Sequence, residues 1–334
     1  MGERHMRNAE AAITSIAILI GSAGCLSTMA DAALPGSRAI GELTSAATIH
    51  LAKTADWVAI SDDAVWVGST GPNAVHRIDP NTNRLVATVT LPGEPCAGLA
   101  TGFGSLWVPL CAAIPSLAKV DLAANRLTAV FAVGPAAAEG GITTGAGSVW
   151  LIIDKAGTLA RIDPATGAIR QTVSVPAGSY NPHFDDGRIW VTRAEGAELT
   201  IVDAAAGMVL ASVPTGPNPR FLTVAAGATW TLNQGDGTLT RVEVLTRQTT
   251  AIALGTPGHG GDIGFGADKI WTTMPKAPLS MIDAKTQSLE CRWAGSGGDS
   301  LGFGYDSIWL TDYHAGNISR FSLRDILAHC NSRH

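Results

Sequence analysis

The sequence predicts an all-β chain: a seven-bladed β-propeller, four antiparallel strands per blade, with the ring closed by an N-terminal strand that completes the last blade. Three observations predict it. The phrase "GFGSLWV" recurs in variant form, so that Trp66, Trp107, Trp150, Trp190, Trp230, Trp271 and Trp309 follow one another at intervals of 38 to 43 residues. Each interval holds short runs rich in Val, Ile, Leu and Thr, bounded by Gly, Pro, Asp and Asn, with no sustained 3.6-residue period. Seven such units, each of four short strands, match radial repetition around an axis better than a helical solenoid.

The units justify this element by element. In residues 98–133, "GLATG" reads as a first strand, "FGS" as a turn, "LWVPL" as a second strand, "LAKVD" as a third, "LAANR" as a turn and "LTAVFAV" as a fourth. The next unit repeats the order. "DPNTN" (79–83) and "DPATG" (163–167) are turns in which proline presets φ and the residues after it tolerate tight geometry. The last unit supplies three strands between Leu301 and Leu323, and "AATIHLAK" (46–53) resembles a fourth strand, so it is expected to close the ring and cover an open edge. The repeated tryptophan then fills the same wedge between blades seven times, which is a packing role.

Composition narrows the function classes. The chain has 334 residues, 46% apolar and 15% charged, with a net charge of −5 and no basic cluster, so a nucleic-acid or anionic-membrane surface is disfavoured. Arg4 and Arg7 precede an apolar stretch (11–26), and "ADA" (30–32) has the form of a cleavage site. Residues 1–32 therefore read as a signal peptide and 33–330 as a single propeller domain with a short tail. The expected location is periplasmic or secreted, with a lipid anchor at Cys25 as the alternative and no later membrane segment. In an oxidising compartment four further cysteines can pair. Cys96 and Cys111 lie equidistant from the "GFGS" turn and are expected to face each other across that hairpin, which leaves Cys291 with Cys330.

The units "AVHRIDPNTNRLVATVTLPGEPCAGLATGFGSLWV" and "TLARIDPATGAIRQTVSVPAG" resemble the YVTN-type and streptogramin B (virginiamycin B) lyase-like propellers, over residues 45–323. The resemblance implies, in the lyases, a magnesium-dependent site at the ring centre that opens a lactone by elimination, using histidines in "PH-x-I"-like phrases and a glutamate in "WFTE"-like phrases. The glutamate's place, three residues after each repeated tryptophan, holds Ser69, Leu110, Ile153, Arg193, Asn233, Met274 and Asp312. The histidine's place holds Asp56, Ala97, Gly140, His183, Arg220, Gly261 and Asp299, with "NPHF" and "NPRF" aligning His183 to Arg220. The lyase set is not reproduced.

Polar groups on innermost strands converge on the axial channel, so they carry the candidate site. His183 and Asp312 are the candidate catalytic residues, with Arg193, Arg220, Asn233 and Asp299 as substrate-binding residues. Two guanidinium groups beside a histidine can hold a carboxylate or phosphate, with His183 titrating near working pH. A second reading is a divalent metal such as Mg or Ca on His259, Asp262 and His314 with the neighbouring aspartates. A third is structural pairing across the channel. Three functions follow: an exported binding propeller for a small anionic ligand, a lyase or lactone hydrolase, or a scaffold that docks a protein on its loop face. A monomer is expected.

Overall fold

The computed structural model describes residues 36–332; the expected signal peptide and Cys25 lie outside the described residues. Seven four-stranded antiparallel blades surround an axis. The first six are formed by residues 54–90, 94–131, 142–174, 179–214, 219–253 and 263–294. The seventh takes three strands from Leu301–Gly304, Ser307–Asp312 and Asn317–Ser322, and its outermost strand is Ala47–His50, which pairs antiparallel with Asn317–Ser322. Ring closure by the N-terminal strand is thus observed.

Alternating apolar residues drive the stacking. All seven repeated tryptophans lie on the second strand of their blades and are fully buried, each packed towards the next blade. Five of them donate Nε1–H to the carbonyl five residues earlier, from Trp107 to Gly102 at 3.1 Å through Trp309 to Gly304 at 3.3 Å. This bond ties each inner hairpin to its own wedge residue, so the indole satisfies its polar atom while burying its rings. On the third strand a cation faces the ring: Lys119, Arg161, Arg241 and Arg320 sit 5.1 to 5.4 Å from the centroids of Trp107, Trp150, Trp230 and Trp309.

The turn after the third strand is equally regular. Asp79, Asp121, Asp163, Asp203 and Asp283 each accept backbone N–H bonds two or three residues on. The residue four positions on, such as Asn83, Gly167 or Gly207, has φ between +52° and +72°. Those side-chain bonds replace a ladder partner and start the turn, which explains the repeated Asp-Pro phrase.

Two features were not read from sequence. Arg38–Ala39 adds a short parallel fifth strand to the outer edge of the sixth blade. Residues Leu323–Asn331 form a helix capped by Ser322, whose hydroxyl accepts from Asp325 N–H. Cys330 on this helix bonds to Cys291, Cα atoms 5.9 Å apart, and Trp293 Nε1 donates to His329 Nδ1 at 3.1 Å. Cys96 and Cys111 are also bonded, with Cα atoms 5.7 Å apart. Their register differs from the expected one. Near the turn Ala100 faces Trp107, but farther out Glu94, not Cys96, faces Cys111. The intervening residues 96–99 leave the ladder, so the disulfide runs diagonally across the hairpin.

Candidate functional site

Strand register decides which side chains reach the channel mouth. The residues opposite the seven tryptophans are Ala59, Ala100, Thr143, His183, Thr223, Gly264 and Gly302. Three positions earlier, at the mouth, stand Asp56, Ala97, Gly140, Tyr180, Arg220, Gly261 and Asp299. The fourth blade therefore contributes Tyr180, where the "NPHF" and "NPRF" likeness had aligned His183 with Arg220. The two phrases sit at different depths: His183 is seven residues before its tryptophan, and Arg220 is ten. In both strands, as in the first blade, an extra residue is inserted just before the paired stretch, and such bulges re-aim side chains.

Below the mouth the channel is plugged. Trp57, from the first blade, and Phe221, from the fifth, meet with ring centroids 6.1 Å apart, and Leu99 of the second blade packs against them. Blades this far apart in the ring touch only across the axis, so the plug gives the mouth an apolar floor.

The mouth has two electrostatically opposite halves. Over blades three to five lies a cavity of about 710 Å³, lined by Lys155, Ser179, Tyr180, Arg193, Arg220 and His259, by one carboxylate, Glu195, and by Ala136, Ala137, Ala177 and Ala194. Arg193 is positioned by Nε donation to the Ala177 carbonyl at 2.8 Å and an ion pair to Glu198 at 3.1 Å. Arg220 lies 4.5 Å from the centroid of Tyr180 and donates to its hydroxyl, which in turn donates to the Ala138 carbonyl at 2.5 Å. Burial pushes the Tyr180 phenol up, against the pull of Arg220. The Ser179 hydroxyl is buried and has no hydrogen-bond partner among the described residues.

The other half is acidic. Asp56, Glu139, Asp262 and Asp299 are all held above the ordinary carboxylate range, chiefly by desolvation, with repulsion from neighbouring carboxylates adding to it, and Asp262 is raised to about 6. Glu139 sits at the seam, where Arg220 pulls it down while Asp299 pushes it up. It occupies a left-handed conformation, φ +64°, in the strap 135–141. That strap is anchored by Glu139 N–H to the Cys96 carbonyl at 2.7 Å and Gly98 N–H to the Gly140 carbonyl at 2.9 Å. Ala136 and Ala137 face the basic cavity and Ala138 and Glu139 face the acidic one, so the strap is the wall between them.

The sequence-predicted residues are thus divided. Arg193, Arg220 and His259 share the basic cavity. Asp299, Asp312 and His314 line a separate pocket of about 240 Å³ with Lys276. Asn233 is fully buried: its amide donates to Thr238 and Thr240 at 2.9 and 2.8 Å and its oxygen accepts from Thr231, so it ties strands together and does not reach a ligand. Asp262 links blades. One oxygen accepts from Ile263 N–H and the other from Ser300 Oγ and Leu301 N–H, while Ser300 Oγ in turn accepts from Val58 N–H. His183 makes no hydrogen bond or ion pair among the described residues, and burial alone lowers its pKa to about 4, so it is neutral at pH 7 and does not titrate near working pH.

The metal reading fails on the same geometry. Among the described residues no group of three or more His, Cys, Asp or Glu side chains is arranged to hold a metal ion. His259 lies in the basic cavity, Asp262 has both oxygens committed, and only Asp299, Asp312 and His314 remain near one another. These residues do not fit a resident divalent ion.

Lys155, Ser179 and Tyr180 were missed. Lys155 stands five residues after Trp150, the place Glu195 holds after Trp190, two residues beyond the position that carries Arg193, so the comparison at three residues after each tryptophan passed over it. Tyr180 was hidden by the stronger "NPHF" likeness.

These features define a seven-bladed β-propeller with a plugged channel and a charged, divided mouth. Its fold is that of a streptogramin B lyase structure, with a TM-score of 0.69 and 17% identity over 82% of this chain and 96% of that one. A computationally designed protein, Ika8, is similar at a TM-score of 0.63 and 12% identity, over 82% of this chain and 97% of that one. At these identities the likeness is one of fold. No protein-family profile and no curated protein sequence matches the chain.

Proposed function

We propose that this protein is a ligand-binding propeller that captures a small organic anion at its channel mouth, without turning it over. One observation carries the reading: Lys155, Arg193 and Arg220 converge on one open cavity of about 710 Å³ in which Glu195 is the lining carboxylate. Guanidinium and ammonium groups around a concave site are the usual means of holding carboxylate or phosphate. Arg220 is stacked on Tyr180, and Arg193 is braced by Ala177 and Glu198, so both forks are preorganised before a ligand arrives.

The fold likeness to a lyase weighs less than residue placement. The position three residues after each repeated tryptophan carries one carboxylate, Asp312, and it lines the other pocket. The reading also sets the protein outside the cytoplasm, as a monomer. Two disulfides support the compartment, and no helix among the described residues is long and apolar enough to cross a membrane.

The test is calorimetric titration with citrate. Wild type is expected to bind, and Lys155→Gln and Arg220→Gln each to weaken binding about tenfold, as loss of a charge-assisted hydrogen bond requires. Citrate binding unaffected by either substitution would refute the site.

A further inference from the structure

We propose that the ligand is an amphipathic organic anion with an apolar body of drug-like size; this rests on the anion-binding reading of the same cavity. A volume of about 710 Å³ far exceeds what a phosphate or a small carboxylate needs, and falls in the range of sites that enclose a whole drug-sized molecule. The lining between the cations is aliphatic: Ala136, Ala137, Ala177 and Ala194 come from three different loops and leave the space open because none has a side chain beyond Cβ. Cations interleaved with alanines around one cavity complement a molecule with one charged end and a broad apolar face.

Ser179 adds an independent observation. Its residue is 4% exposed, it lines the cavity, and its hydroxyl has no partner among the described residues. A buried hydroxyl without a partner is costly, so a ligand that brings an acceptor to this depth regains what desolvation took. The acceptor must lie beside the strand Ser179–Asp185, next to Arg193, which is the register partner of Ser179. The cations and an acceptor at the wall then orient the apolar body over the alanines.

The probe is 8-anilinonaphthalene-1-sulfonate, an anion with a three-ring apolar body, compared with citrate by fluorescence and calorimetry on the same protein. The sulfonate is expected to bind at least tenfold tighter than citrate despite its lower charge. Ala137→Trp, in an exposed stretch of the strap, fills part of the cavity and should weaken the sulfonate tenfold or more, and Ser179→Ala should weaken it about fivefold. Met208→Ser, which removes an exposed apolar side chain on the outer strand of blade four, should change nothing. Citrate binding as tightly as the sulfonate overturns the ligand class and leaves the anion reading standing. Binding of neither removes both. Sulfonate binding that survives Ala137→Trp, or that is lost with Met208→Ser, lies outside the cavity and overturns the proposal.

Discussion

His76 offers the cleanest electrostatic test of the fold. It lies on the third strand of blade one, 2% exposed, with Nε2 2.8 Å from Ser69 Oγ and Nδ1 3.0 Å from Thr88 Oγ1. Both neighbours are neutral hydroxyls, so nothing compensates an imidazolium, and burial lowers the pKa from the ordinary 6.5 to about 4. A folded-state pKa below the unfolded value means that the unfolded chain binds the extra proton first. The stabilisation is therefore present above pH 6.5 and is lost as pH falls through 4. The full difference is about 3 kcal/mol, of which about 2.5 kcal/mol is lost by pH 4.5. His76→Gln keeps a donor and an acceptor but cannot titrate. The stability advantage of wild type over this variant should shrink by about 2.5 kcal/mol between pH 7.5 and pH 4.5, which is roughly 4 °C in Tm for a chain of this size. Taking the difference between the two proteins cancels every other titrating group, including the raised carboxylates at the mouth and the lowered His183. Calorimetric melting of both at the two pH values measures it, and an advantage that stays constant or grows on acidification refutes the account.

Three further outcomes follow from packing and connectivity. Gly266→Ala places a Cβ within the ring of Phe303, which stacks on Trp271 at 6.5 Å; a loss of about 1–3 kcal/mol is expected in denaturant melts, since overpacking displaces that stack. Removing the Cys291–Cys330 bond by serine substitution at both positions opens a loop of 39 residues, worth up to about 4 kcal/mol by loop entropy, and hydrogen exchange should show the loss concentrated in Leu323–Asn331. Truncation before residue 51 uncovers the edge of Asn317–Ser322, and light scattering should report aggregation where the full chain stays clear; a clear, folded truncated protein would show that this strand is dispensable.

Legibility differed sharply between scaffold and site. The wedge tryptophans, the Asp-initiated turns and the closing strand obey local rules repeated many times, so each copy reinforced the others in the sequence. The Cys96–Cys111 bond could be inferred from turn symmetry although its register could not, because the bulge at 96–99 leaves no periodic trace. Arg193 and Arg220 were read together and do line one cavity, but the histidine beside them there is His259, read with Asp262 and His314, and not His183. Asn233 stands in a position equivalent to Arg193, yet threonines on the neighbouring strand consume its hydrogen bonds. His183 and Arg220 share a phrase, yet an offset of three residues along the strand separates them.

The amino-acid sequence alone determined the repeat, the four strands of each blade, the wedge residue and the closure of the ring, since periodic burial and turn chemistry act over a few residues at a time. Only the tertiary structure decided which polar groups meet. That depends on strand register, on single-residue bulges in blades one, four and five, and on the strap 135–141, which folds between blades to part a basic cavity from an acidic one. The charges at the mouth come from segments more than a hundred residues apart, and their neighbours are set by the geometry of the ring.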